Sequence, residues 1–220
     1  FRKLYLKEDG SFYRFGEIQK NQEIADLLEN IAEQGVDYFY KGKVAKQIVD
    51  LINDRGGCFD VSDMESYEPK FREPVKTTYR GYEVAAFAPP SGGCALVEML
   101  NILENYDVRS MGHNTAASIH ALTESMKLGF ADRSVALGDP DFVNVDVERL
   151  TSKKFAHERF TLAGEKAGEF ASADGIEAKQ YPGNTSHFVV MDKDGNAFSQ
   201  TQTIRDWFGC GILVDGLGFV

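Results

Sequence analysis

The chain has 220 residues, 43% of them hydrophobic and 26% charged, with a formal net charge of −10 and an isoelectric point near 4.9. That length buries a core for one domain, or a domain and a half, and the acidic balance argues against nucleic acid or anionic lipid as a partner. Cys58, Cys94 and Cys210 make neither a disulfide framework nor a CxxC pair, the scattered histidines suggest no metal centre, no cofactor motif is visible, and no apolar run approaches the roughly 20 residues of a membrane span. No signal peptide is recognisable; Phe1 is not a natural start, and the apolar end Phe219-Val220 reads as mid-strand, so a fragment of a longer protein is expected.

The first part of the chain reads as mostly helical. Ile24, Leu27, Leu28 and Ile31 put an apolar stripe on a helix over residues 22–34, with Gly35 as its C-cap. Val44, Ile48, Leu51 and Ile52 repeat the pattern up to Gly56-Gly57. Ser62 and Glu65 have capping-box spacing and predict a short helix. Residues 77–87, rich in β-branched and aromatic side chains, predict one strand that Pro89-Pro90 stops. Ser91-Gly92-Gly93 leads into a helix over 95–106, and a long helix follows over 115–137, ahead of an Asp139-Pro140-Asp141 turn. Polar, Gly- and Ala-rich residues 164–184 read as a mobile linker. Then the texture changes. His187–Met191 predicts a buried-type strand, Asp192-Lys193-Asp194-Gly195 a hairpin turn, and residues 196–204 a second, alternating strand.

The chemistry concentrates where the linker meets that hairpin, at Asn184-Thr185-Ser186-His187. A threonine hydroxyl is a weak nucleophile without a base beside it. If the Asn184–Thr185 bond breaks, Thr185 acquires a free α-amine with a pKa of roughly 7.7–8.0, neutral often enough to take the proton of its own hydroxyl. The same hydroxyl can first attack the Asn184 carbonyl, giving an ester that water opens, so one group serves maturation and turnover. By residue type alone the signal is weak, since a threonine opening a strand is usually just β-propensity.

Thr185-Ser186-His187-Phe188-Val189-Val190-Met191-Asp192-Lys193-Asp194-Gly195-Asn196-Ala197 resembles the start of the small subunit of γ-glutamyltransferases, which belong to the N-terminal-nucleophile hydrolases. Gln202-Thr203-Ile204 and Trp207-Phe208-Gly209-Cys210-Gly211 are similar to that family's downstream segments. On the large-subunit side, so are Tyr79-Arg80-Gly81-Tyr82, Pro89-Pro90-Ser91-Gly92-Gly93, Asn101-Ile102-Leu103-Glu104 and Ala131-Asp132-Arg133 through Asp139-Pro140. The resemblance implies an α+β fold, a four-layer αββα sandwich only partly covered by this chain. Residues 1–220 would form one partial domain: 1–184 the C-terminal part of a large subunit, 185–220 the start of the small, catalytic one. It implies self-cleavage at Asn184–Thr185, Thr185 as nucleophile and new N-terminus, and Thr203 as the neighbour that hydrogen-bonds it from the paired strand. The reaction implied is γ-glutamyl transfer from amides such as glutathione to water or an amino acid or peptide. The two subunits of one precursor would stay paired. The compartment implied is periplasmic or extracellular for an exported bacterial member, cytoplasmic otherwise.

The chain departs from the family pattern at Arg205, where an asparagine usually helps hold the γ-glutamyl carboxylate. Arginine can hold a carboxylate through a bidentate contact, point away, or signal a different acyl group. An acylase acting on another amide, cephalosporin-acylase-like, is therefore the runner-up, and an inactive fragment the third possibility. Ser91-Gly92-Gly93 has the look of an anion nest but in this family reads better as scaffold.

Overall fold

The computed structural model describes residues 2–176, 184–206 and 208–220. It contains helices and a few short strands, an α+β chain, in two compact units. One comprises Phe1–Pro69 with Pro182–Val220, the other Lys70–Tyr181. In chain order the elements are α1 (Arg2–Tyr5), α2 (Gln22–Gln34), α3 (Asp37–Tyr40), α4 (Gly42–Asp54), α5 (Val61–Glu65), β1 (Val75–Tyr79), β2 (Tyr82–Ala86), α6 (Gly93–Leu103), α7 (Val108–Met111), α8 (Ala116–Ala136), α9 (Val147–Thr151), α10 (Lys153–Phe160), β3 (Ser186–Met191) and β4 (Ala197–Gln202). No helix of the described residues is long and apolar enough to cross a membrane.

In the first unit the stripes of α2 and α4 close on each other. Leu27, Val44, Ala45, Ile48 and Met64 bury a core together with Val214 and Leu217 from the end of the chain. Asn21 caps α2, its Oδ1 accepting the Ile24 N–H at 3.1 Å, and with the other end of its amide it donates to the Gly218 carbonyl at 2.7 Å. One side chain thus starts a helix and fastens the last turn of the chain. Its neighbour has to be glycine: a Cβ on Gly218 would stand 2.5 Å from Asn21 Oδ1, at a φ of +72°. The short α5 is capped two residues earlier than Ser62 suggested, by Asp60, which forms a capping box with Asp63.

The second unit is built around α6, which is apolar on nearly every side and buried accordingly. What reads as one strand over 77–87 is two. Arg80 and Gly81, at φ of +51° and +87°, form a tight turn that folds β2 back on β1, with Tyr79 opposite Tyr82. Gly93, buried at the start of α6, leaves no room for a side chain: a Cβ would fall 2.0 Å from the Phe87 carbonyl oxygen. In this chain the Ser91-Gly92-Gly93 turn is therefore scaffold. On the other side of α6, Gly129 lets α8 approach until a Cβ there would meet Met99 Cγ at 2.6 Å.

The buried face of α8 is unusual in what it carries. Alongside Ala121 and Leu128 it holds Glu124, Ser125 and Asp132, all fully buried. Each is answered. Ser125 donates to the Ala121 carbonyl at 2.8 Å. Glu124 pairs with Lys127 at 2.5 Å and accepts the Gly168 N–H at 3.1 Å. Asp132 forms an ion pair with Arg159 of α10, Oδ2 to Nε at 2.7 Å, and accepts the Ala173 N–H. Arg159 in turn donates to the Ala171 carbonyl at 2.8 Å, Lys127 to the Gly168 carbonyl at 2.6 Å, and Phe170 packs against the cluster of Ile102, Leu128 and Ala156. Residues 164–184 were expected to be mobile. The described stretch 164–176 is instead held on the unit by charges that face inward from α8 and α10; residues 177–183 lie outside the described set, and Asn184 belongs with the first unit.

Beside the Asp132–Arg159 pair sits Glu98 of α6, 1% exposed. Burial first, and then the hydrogen bond and negative charge of Asp132, push its pKa up to about 10, against the opposing pull of Arg159 and Arg149. At neutral pH Glu98 is therefore an uncharged donor to Asp132, and the trio sums to zero charge. The folded value lies above the unfolded one, roughly 4.3. Stability from this group is thus greatest below the unfolded pKa and falls as pH rises towards 10, by at most about 1.4 kcal/mol per pH unit. Glu98→Gln keeps a neutral donor and removes the titration. The expected outcome is that its thermal midpoint exceeds the parent's at pH 8, by a margin that shrinks towards pH 5. Parallel curves for the two proteins would show that Glu98 is ionised in the fold.

Candidate active site

The hairpin expected from the Asp192–Gly195 turn forms. Ser186 faces Gln202, His187 faces Thr201, and the ladder runs to Met191 opposite Ala197. Asp192 builds the turn, its carboxylate accepting the Asp194 and Asn196 N–H groups, each at 2.9 Å, and the Asn196 amide at 2.8 Å. Since alternate residues of a strand share a face, the ribbon has two unlike sides. One carries Ser186, Phe188, Val190, Phe198, Gln200 and Gln202, with the Phe188 and Phe198 rings 5.8 Å apart. The other carries Val189 and Met191 near the turn and, towards the open end, His187, Ser199 and Thr201, a row of polar groups that continues, one step beyond the last ladder pair, to Thr185 and Thr203. The buried-type strand expected at 187–191 is exposed along its whole length in this structure. Its run of apolar residues suits a strand covered on both faces, and the described residues cover neither.

At the open end of the ribbon the chain closes on itself. Thr203 Oγ1 donates to the Asn184 carbonyl oxygen at 2.7 Å, and the Arg205 N–H donates to the same Thr203 hydroxyl at 2.8 Å. The Asn184 N–H meets the Arg205 carbonyl. The structure thus brings Asn184, Thr203 and the Arg205 backbone together, next to the exposed Thr185. Thr203 sits on the carbonyl of the Asn184–Thr185 bond. A hydroxyl held by an N–H behind it and aimed at a carbonyl oxygen withdraws charge from that carbonyl and opposes little reorganisation when charge builds there. The proton on Thr203 has one place to go, which is what makes the donor directional.

Arg205 adopts φ +71°, and Phe208 φ +60°. The left-handed region is rare for side chains with a Cβ, and asparagine enters it several-fold more readily than most. An asparagine at 205 would suit this backbone better than the arginine does. Sequence reasoning missed the polar row itself. His187 Nδ1 lies 2.7 Å from Thr201 Oγ1, and Nε2 lies 3.2 Å from Ser199 Oγ. Counting back across the turn from Asp192 places Thr201 opposite His187, so the signal was present in the spacing.

The sequence model of a family described as gamma-glutamyltranspeptidase matches residues 1–220. A glutathione hydrolase proenzyme of Pseudomonas sp. (strain A14) is 36% identical over 211 residues, covering 95% of this chain and 37% of that protein. An acylase ACY 1 proenzyme of Pseudomonas sp. (strain SE83) is 39% identical over 197 residues, covering 89% of this chain and 35% of the relative. Among solved structures, a cephalosporin acylase from Bacillus halodurans superposes with a TM-score of 0.81 at 31% identity, covering 96% of this chain and 37% of that one. The chain therefore spans little more than a third of the length of these relatives.

The strained turn gives a test that needs no substrate. Arg205→Asn should leave the thermal midpoint of the protein at or above the parent's. Arg205→Val, β-branched and poorly suited to positive φ, should lower stability by about 1–2 kcal/mol. Equal midpoints for the two variants would show that residue 205 does not hold this conformation in solution.

Proposed function

The chain belongs to the γ-glutamyltranspeptidase family, and from that premise we propose that it carries the self-cleavage junction and the nucleophile of a threonine N-terminal-nucleophile enzyme. The observation that carries the reading is the Thr203 hydroxyl on the Asn184 carbonyl at 2.7 Å. In the precursor the Thr185 hydroxyl adds to the Asn184 carbonyl carbon while Thr203 stabilises the oxyanion. The C–N bond breaks, the nitrogen takes up a proton to become the α-amine, and the resulting ester is hydrolysed to an Asn184 carboxylate and the free Thr185 hydroxyl. In turnover the α-amine of Thr185 accepts the proton of its own hydroxyl, which attacks the γ-carbonyl of a γ-glutamyl amide. The amine leaving group departs with a proton, and water or an amino-acid acceptor opens the γ-glutamyl ester. Thr203, freed from Asn184, orients the nucleophile.

On this reading residues 1–184 are the C-terminal part of a large subunit and 185–220 the start of a small one, which remain partners after the cut. The complete fold is a four-layer αββα sandwich. The ribbon supports that architecture: apolar residues on both its faces, Phe188 and Val190 on one and Val189 and Met191 on the other, call for a covering layer on each side. The Arg205 side chain is the candidate for holding the carboxylate of the donor. The 39% identity to an acylase keeps a second reading in view, the same chemistry on a different acyl amide.

Mass spectrometry of the full-length protein checks the maturation step. Parent protein is expected to separate into two chains with Thr185 as the new N-terminus. Thr185→Ala should stay whole and inactive, and Thr203→Ala should cleave slower by a factor on the order of 10²–10³. Intact parent chain that nevertheless turns over substrate would refute the mechanism. Release of p-nitroaniline from γ-glutamyl-p-nitroanilide by cleaved parent, without release from the glutaryl analogue, would decide for γ-glutamyl transfer; the opposite pattern would decide for the acylase.

A further inference from the structure

The contact on which cleavage depends is made in a weak place. Thr203 and Asn184 lie just past the last ladder pair, Ser186 opposite Gln202, at the open end of a two-stranded ribbon. Such ends open first, and a two-stranded ribbon alone is marginal in water. A slip of one residue in register would turn Thr203 to the opposite face, away from the carbonyl. At the far end the register is set by the Asp192 turn and on the apolar face by Phe188 with Phe198. On the face that matters, the tie next to the site is His187. Its ring bridges to both Thr201, directly opposite, and Ser199, with one nitrogen on each. Hydroxyls donate or accept according to need, so both contacts persist in either tautomer and in the imidazolium.

Resting on the reading that the chain cleaves itself before Thr185, we propose that His187 is a positioning residue for that cleavage. By spanning Thr201 and Ser199 it pins β3 against β4 one alternate position from Thr185 and keeps the Thr203 hydroxyl on the Asn184 carbonyl. It takes no proton in the reaction. The proposal uses a histidine of the first unit; the others, His113, His120 and His157, belong to the second.

The test follows the rate of appearance of the Thr185 N-terminus in full-length protein by mass spectrometry. His187→Ala and Thr201→Val are each expected to slow cleavage by about tenfold, the size of one or two lost hydrogen bonds. The double variant should be no slower than His187→Ala alone, since Thr201→Val deletes a contact that the alanine has already removed. His187→Asn, whose amide can reach Thr201 from the place of Nδ1, should restore most of the rate, and it also covers the case in which the alanine variant fails to fold. The ratio of the His187→Asn rate to the parent rate should stay constant from about pH 5.5 to pH 8, across the range where imidazoles change charge. A parent that cleaves alongside a His187→Ala variant of equal rate overturns the positioning role alone. So does a His187→Asn variant as slow as alanine that has lost an acid limb present in the parent, which would make the ring a proton acceptor. A parent that never cleaves defeats the underlying reading, and this one with it.

Discussion

A guanidinium only 6% exposed inside a helical unit has to be neutralised where it stands, and Arg159 meets Asp132 at 2.7 Å. Much of the second unit is arranged around that requirement. The pair joins α10 to α8. Each partner also bonds the backbone of one segment, Arg159 to the Ala171 carbonyl and Asp132 to the Ala173 N–H. Glu98, a third acid in the same place, is admitted only as a neutral donor. Removing Arg159 or Asp132 alone would leave a buried charge without its partner, a loss of the order of 3–5 kcal/mol. Replacing the whole set with apolar groups would cost far less in stability but would release residues 171–176.

The first unit places its polar groups the other way, on an open ribbon. Here the geometry comes from alternation and turn register rather than from burial; it ties an imidazole to two hydroxyls across the strands and sets one further hydroxyl, that of Thr203, on the Asn184 carbonyl. The two units illustrate different means of fixing a polar group. Inside α6, α8 and α10 it is held because the surroundings leave no alternative; on the hairpin it is held by its neighbours across the strand.

What was legible in the sequence had local causes. Thr115 caps α8 and Leu137 ends it, as the helix expected over 115–137 requires, and Gly35 at φ +83° ends α2. The Asp192–Gly195 turn set the register of β3 and β4 and so put Thr203 within reach of Asn184. The turn at Arg80-Gly81 escaped notice because strand formers flank it closely and its first residue is not one that usually takes positive φ. α7, α9 and α10 are too short for periodicity, and their visible signals were only the caps Asp107, Asp146 and Ser152. The anchoring of 164–176 was hidden for a different reason. A polar, Gly- and Ala-rich stretch looks unstructured until charges from helices distant in the chain are placed beside it, and Glu98, Glu124 and Asp132 are residue types that ordinarily face water.

α8 has its polarity reversed, and this has a colloidal consequence. With Glu124, Ser125 and Asp132 turned inward, the helix shows Ile119, Leu122, Met126 and Phe130 on its outer side, each between 40% and 52% exposed. The ribbon adds Phe188 to Met191 on two strands that pair only with each other among the described residues, leaving backbone edges open. An apolar helical stripe and a β-prone strand with free edges are the two surfaces that bring chains together in concentrated solution. Handled as residues 1–220, the polypeptide will be limited by self-association at concentrations where its net charge of −10 no longer keeps copies apart.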